Sequence, residues 1–194
     1  MLTFPTGTCK GLEGRRTNRL EPGALMAESE EKVTTASSIL VILLREVRME
    51  RRLHQAQIAD AIGKTASAWT KIEAGKSPLS LEVFLRVCNV MQVAASAVMA
   101  TAERYAAILG NRWNHPDGNH WSIIFTEIEL KDDHLLSYAQ EYWASPGFRK
   151  QTANHFVFHS ILNGPINNCD GTMTIAPVFQ FALDPAFRAS QLRG

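Results

Sequence analysis

The chain has 194 residues, 45% of them hydrophobic and 20% charged, with a formal net charge of +1. This is the composition of an ordinary soluble globular protein of one or two domains, and overall charge offers no argument for nucleic acid. Cys9, Cys88 and Cys169 are an odd number without a CxxC pair, which argues against a disulfide framework and fits a reducing, cytoplasmic setting.

Residues 1–35 carry Pro5, Gly7, Gly11, Gly14, Pro22 and Gly23 with scattered charges and no period. They are expected to be a disordered arm, within which Met26 opens a polar lead-in, AESEEKVTTASS. A first helix is predicted over 36–50, with Leu40, Leu44 and Val47 as its inward stripe. Its apolar run from Ile39 to Leu44 ends at Arg45 and is far too short to span a bilayer. No charged-then-apolar signal pattern opens the chain, so no membrane partner is expected. A second helix is predicted over 55–62 with His54 at its N-cap position. A third covers 66–74 between Thr65 as N-cap and Gly75 as C-terminal stop. Ser80 caps a fourth over 81–91, with Val83, Phe84, Val87, Val90 and Met91 facing inward. A fifth, alanine-rich helix covers 94–109.

The composition then changes. Residues 110–120 are rich in Gly, Asn and Pro and read as a linker. Trp121–Leu130 ends in an alternating pattern and is predicted as a strand, and Asp132–Ala144 as a helix that Pro146-Gly147 breaks. HFVFHSIL at His155–Leu162 fits a helix or a strand. Gly164-Pro165 and the run from Asn167 to Gly171 are turn chemistry. Thr172–Leu183 reads as β, with Pro177 confining it to an edge or a bulge.

The stretch from Gln55 to Lys76, QAQIADAIGKTASAWTKIEAGK, is the most informative. Two short helices crossing steeply need a small residue where they touch, which Ala59 supplies. They need a residue tolerant of positive φ at the corner, which Gly63 supplies. Trp69 and Ile72, three apart, hold the second helix down. From Leu44 to Lys76 seven basic residues stand against four acidic ones, whereas from Asn111 onward six stand against eight. The basic excess lies with this motif, which suits phosphate contact.

Residues 38–99 resemble the phage-repressor-like (lambda-repressor-like, XRE-type) helix-turn-helix family. The matching stretches are LREVR at Leu44–Arg48, QAQIADAIGK at Gln55–Lys64 and KIEAGKSPLSLEVFLRV at Lys71–Val87. The resemblance implies a five-helix DNA-binding domain whose third helix lies in the major groove. It implies that Gln55 bonds a backbone phosphate and that Ala66, Ser67, Thr70 and Lys71 face the bases, Lys71 donating to guanine or phosphate. It further implies that Lys64, Thr65 and the N–H groups and ammonium of the Gly75-Lys76 turn lie along the DNA, and that Arg48 and Glu73 form a buried pair. Ala59, Gly63, Trp69 and Ile72 are its scaffold. Lys64 stands where the family has an apolar residue, Trp69 where it has Ile or Val, and the reading face lacks the family's Gln or Arg, so specificity is expected to draw on DNA shape and dimer spacing.

The second half carries weaker signals. His155 and His159 stand four apart, with His115, His120, His134 and Cys169 elsewhere, but no third ligand falls at a diagnostic spacing, and neither metal nor cofactor is expected. Asp132-Asp133-His134 sits at a helix start, where acids suit the dipole. No nucleophile elbow, Walker-type loop or dinucleotide fingerprint is present, so no catalytic residue is assigned and an enzyme is not expected. Dense aromatics, among them Trp113, Trp121, Phe125, Tyr138, Tyr142, Trp143, Phe148, Phe156, Phe158, Phe179, Phe181 and Phe187, are expected in a core, a dimer face or a ligand pocket.

The fold expected is a mainly α N-terminal five-helix helix-turn-helix domain (36–109), a linker (110–120) and a smaller α+β domain (121–194) for dimerisation or effector sensing. The function expected is a sequence-specific transcriptional regulator binding double-stranded DNA, a homodimeric repressor with a small-molecule or protein effector at the second half. The alternatives are an antitoxin-type regulator binding a partner protein through that half, and an enzyme delivered to DNA.

Overall fold

The computed structural model describes residues 31–110, 121–125, 132–153 and 160–193. It is mostly helical. A strand β1 (Lys32–Thr35) leads into α1 (Ala36–Glu50), followed by α2 (Gln55–Ala61), α3 (Ala66–Glu73), α4 (Leu81–Val90) and α5 (Ala95–Gly110). Then come β2 (Trp121–Ile124), α6 (His134–Ala144), α7 (Pro146–Ala153), a single 3-10 turn (Ile161–Asn163), β3 (Ile166–Asn167), β4 (Met173–Thr174), α8 (Pro177–Leu183) and α9 (Pro185–Arg193). No single helix among the described residues is long and apolar enough to cross a membrane.

The local signals explain the helix ends. Thr65 and Ser80 adopt extended backbone and their hydroxyls accept from Ala68 N–H and Val83 N–H, the bond an N-cap makes to an otherwise unpaired donor. Gly63 and Gly75 sit at φ +69° and +70°, which ends α2 and α3 in the left-handed conformation that glycine adopts without a Cβ penalty.

Three expectations are corrected. Residues 32–35, counted with the disordered arm, form β1 instead, because the β-branched Val33, Thr34 and Thr35 pair in parallel with β2, Lys32 opposite Trp121 through Thr35 opposite Ile124. Residues 1–30, 111–120, 126–131 and 154–159 lie outside the described residues, and with them the rest of the arm and of the linker, the end of the predicted strand, His115, His120, His155 and His159, and Trp113, Phe156 and Phe158. The β reading of Thr172–Leu183 holds only for the two residues of β4. Pro177 is the first residue of α8, a position whose N–H has no helical partner, and Val178, Phe179, Phe181 and Ala182 are buried. α6 ends at Ala144, as Pro146-Gly147 led one to expect, and Pro146 opens α7.

The third correction concerns α1. Leu40 is only partly buried, while Ile39, Ile42, Leu43, Leu44 and Val47 are fully so and Val41 nearly so. A helix covered on almost every side is a central one. The cover comes from both halves: α5 packs on α1 from one side, α6 and the 3-10 turn from another. A single buried cluster therefore runs from Ile58, Trp69 and Phe84 through α1 and Tyr105 to Trp121, Leu135, Tyr142 and Phe181. Tyr105 of α5 stacks on Phe179 of α8 with ring centroids 3.9 Å apart. Since β1 precedes α1 and pairs with β2 after α5, the five helices α1–α5 are the crossover between two neighbouring strands.

Candidate nucleic-acid interface

The α2–α3 corner is built as its residues require. Ala59 is buried where the two helices meet, and Gly63 has open space around the place a Cβ would take, so the glycine there answers to backbone conformation and not to crowding. Gly63 N–H and Lys64 N–H close the turn on the carbonyls of Asp60 and Ala59 at 3.0 and 2.8 Å. Trp69 and Ile72 are buried beneath α3, and the indole fills the enlarged core with its Nε1–H unpartnered.

Glu73 is 1% exposed and is neutralised by Arg48 of α1, whose Nε donates to Oε1 at 2.6 Å and Nη2 to Oε2 at 3.1 Å; Nη1 also donates to Leu53 O at 2.8 Å. Bidentate geometry of this kind is what allows an ion pair to sit inside a core. It pins the inner face of α3 to α1.

The opposite face of α3 is open. Ala66, Ser67, Thr70 and Lys71 are exposed, as are Lys64 and Thr65 before the helix and Lys76 after it. The only acid in α3 is the buried Glu73. The result is a small, low-relief face bracketed by three ammonium groups, with a helix N-terminus at one edge. That arrangement suits a polyanion approached closely by backbone.

Both ends of this face are engaged differently from what the resemblance implies. Gln55 is half-buried; its Nε2 donates to Glu73 Oε2, and its Oε1 accepts from Thr70 Oγ1 at 3.3 Å. The single Thr70 hydroxyl proton is shared with Ala66 O, the nearer acceptor at 2.9 Å. Gln55 therefore links α2 to α3, and at most one N–H of its amide is left for a phosphate. At the far end, Gly75 N–H and Lys76 N–H donate to Ile72 O and Lys71 O at 2.9 and 2.8 Å. Those two amides are used within the helix terminus, so that turn offers only the Lys76 ammonium.

Sequence reasoning missed what holds this unit from behind. Along α6, Leu136, Gln140 and Trp143 stand at i, i+4 and i+7. Leu136 lies against Gly75, Gln140 Nε2 donates to Ala74 O at 3.3 Å, and Trp143 Nε1 donates to Glu46 Oε1 of α1 at 2.6 Å while Arg45 stacks 3.7 Å above its ring. Burial pushes the Glu46 carboxyl up to about 7, against the Trp143 hydrogen bond, and burial lowers Arg45 from the usual guanidinium range. At the start of α6, Asp133 accepts from Thr34 Oγ1, Thr35 N–H, Ser38 Oγ and, as N-cap, Leu136 N–H. His134 Nδ1 takes Val33 N–H at 3.1 Å. The acidic pair at the helix start was visible in the sequence; its long-range donors were not. Among the described residues no group of three or more His, Cys, Asp or Glu is placed to hold a metal ion.

No curated protein and no solved structure matches the chain. Residues 39–100, from the first turn of α1 into α5, match the sequence model of a family described as a helix-turn-helix domain. The α2–α3 corner at Gly63 and the open outer face of α3 lie within that matched stretch.

Proposed function

We propose that this protein is a sequence-specific transcriptional regulator of the phage-repressor-like type that binds double-stranded DNA through α3. The observation that carries the reading is the open face of Ala66, Ser67, Thr70 and Lys71 between Lys64 and Lys76, with the helix's one acid paired inside to Arg48. In this reading Lys71 donates to a guanine edge or a phosphate, Ser67 and Thr70 offer short hydroxyls, and Ala66 makes apolar contact with a thymine methyl. Lys64 and Lys76 neutralise phosphates on either side. Few reading side chains leave much of the discrimination to DNA shape and to the spacing of two half-sites, so the protein acts as a dimeric repressor that occupies a promoter, its second half holding the dimer or receiving an effector.

Selection of bound duplexes from a randomised pool tests this. A two-fold symmetric motif is expected. On the selected duplex, Lys71→Ala should weaken binding by about 1–3 kcal/mol and lower the salt slope by about one. Unchanged affinity and slope would remove α3 from the interface. Lys71 is the cleaner probe, because Gln55→Ala also strips a hydrogen bond from Glu73.

A further inference from the structure

The recognition-helix candidate α3 has eight residues. A helix of that length has little stability of its own, so its direction is set by what grips its two ends. Its N-terminal end is capped by Thr65, and its last residue, Glu73, is pinned to α1 by Arg48. The two residues that follow it, Ala74 and Gly75, are held from outside the helix-turn-helix unit, by α6.

Two side chains of α6 one turn apart make that grip. Leu136, 8% exposed, packs on Gly75 so closely that a Cβ there would fall on its Cδ2. Gly75 is required for its φ of +70°, and a methyl there would make the end of the Leu136 side chain turn aside. Gln140 donates to the carbonyl of Ala74, the residue that ends α3. Carbonyls in the last turn of a helix lack intrahelical donors, and here one receives its donor from the second half of the chain. A turn further along, Trp143 fastens the same stripe of α6 to Glu46 and Arg45 of α1. One rigid helix therefore touches both the supporting helix and the reading helix.

We propose that Leu136 and Gln140 are positioning residues that set the angle at which α3 meets DNA, so that the second half tunes DNA affinity through α6 without touching DNA. This rests on the reading of α3 as the DNA-contacting helix. Leu136 acts as a wedge behind Gly75 and Gln140 as a tether on Ala74. A shift of α6, whatever displaces it, moves the C-terminal turn of α3 and with it Lys71 and Lys76. The phosphate contacts stay the same in number, so the signature is a change of affinity at constant salt slope.

The test uses the full chain and duplexes enriched by it from a randomised pool. Gln140 is exposed, so Gln140→Ala keeps the fold; about threefold to tenfold weaker binding is expected, with an unchanged salt slope and faster amide exchange at Gly75 and Lys76. Gln140→Arg restores a donor but adds a cation, so it supports the tether only if affinity recovers at the wild-type salt slope. In a double cycle, Gly75→Ala pushes the joint apart and Leu136→Ala makes room for the new methyl, so the pair should lose less affinity than the two single changes predict. Wild-type binding by Gln140→Ala together with zero coupling in the cycle overturns the positioning role. Lys71→Ala, measured alongside, separates the causes: if it weakens binding, the reading of α3 stands without the α6 lever; if it binds as wild type, that reading falls and the lever falls with it.

Discussion

Glu46→Gln at the joint between α1 and α6 should make the protein more stable in mild alkali and flatten part of its pH profile. In the folded chain the Glu46 carboxyl is held at about 7 rather than the ordinary 4.5, chiefly by burial, with the Glu50 carboxylate adding to the rise and Arg45, Arg48 and the Trp143 hydrogen bond working against it. The groups facing it are those, together with Tyr105 of α5 and Tyr142 of α6. A folded-state value above the unfolded one means that the folded chain binds the proton more tightly. The stabilisation it contributes is fully present below 4.5 and is lost as pH rises through about 7. At about 1.4 kcal/mol per tenfold change in proton affinity, the interval corresponds to at most about 3 kcal/mol. For a chain of this size that is roughly 6–12 °C in Tm. Gln keeps an acceptor for Trp143 Nε1–H and removes the charge. Urea denaturation of both chains, stepped from below 4.5 to above 7, gives a difference curve in which titrating groups that do not feel Glu46 cancel. The variant should gain on the wild type across that range and hold its gain above it. A flat difference curve would show that Glu46 ionises as a surface carboxylate does, and that water reaches the α1–α6 joint.

Two further substitutions test the joints on either side. Arg48→Ala leaves Glu73 buried without its partner and should cost about 3–5 kcal/mol by urea midpoint, whereas Arg48→Met with Glu73→Leu should recover most of it; equal losses in the single and double variants would mean that the pair is not what holds α3. Asp133→Ala removes the acceptor for Thr34, Thr35, Ser38 and Leu136 at once and should cost about 3 kcal/mol, with exchange rising at the first turns of both α1 and α6; a loss confined to α6 would show that the β1 contacts contribute nothing.

What could be read from the sequence was what is encoded within a few residues. Thr65, Ser80, Gly63 and Gly75 announce helix ends because a cap or a positive φ is a local demand, and the order of Ala59, Gly63, Trp69 and Ile72 announces the corner for the same reason. The exposed positions of α3 follow from its buried ones by helical period. The misreadings have one source. Whether Thr172–Leu183 is a strand or a helix depends on the partner that buries Phe179, which is Tyr105, more than seventy residues away. The four residues of β1 follow a polar, acidic stretch without a period, and only β2 makes a strand of them. The stripe on α1 was drawn too narrow because no periodicity in α1 says that α6 will cover its other side. The bond from Gln55 to Glu73, eighteen residues on, is likewise one that no local pattern announces.

The pairing of β1 with β2 carries a consequence for how the chain is made. Synthesis runs from the N-terminus, so α1 through α5 leave the ribosome before the residues that cover α1. Trp121, Leu135, Ala139 and Tyr142 follow, and Phe179 and Phe181 come only near the end. At about 5–20 residues per second, the nascent helix-turn-helix unit spends several seconds with part of its central helix bare. Contacts that join distant parts of a chain also form slowly, since a long loop must close before they reward it. The α3 face is thus local in its residues and global in its assembly: the unit encoded by the first half is complete only when α6 and the 3-10 turn close over α1.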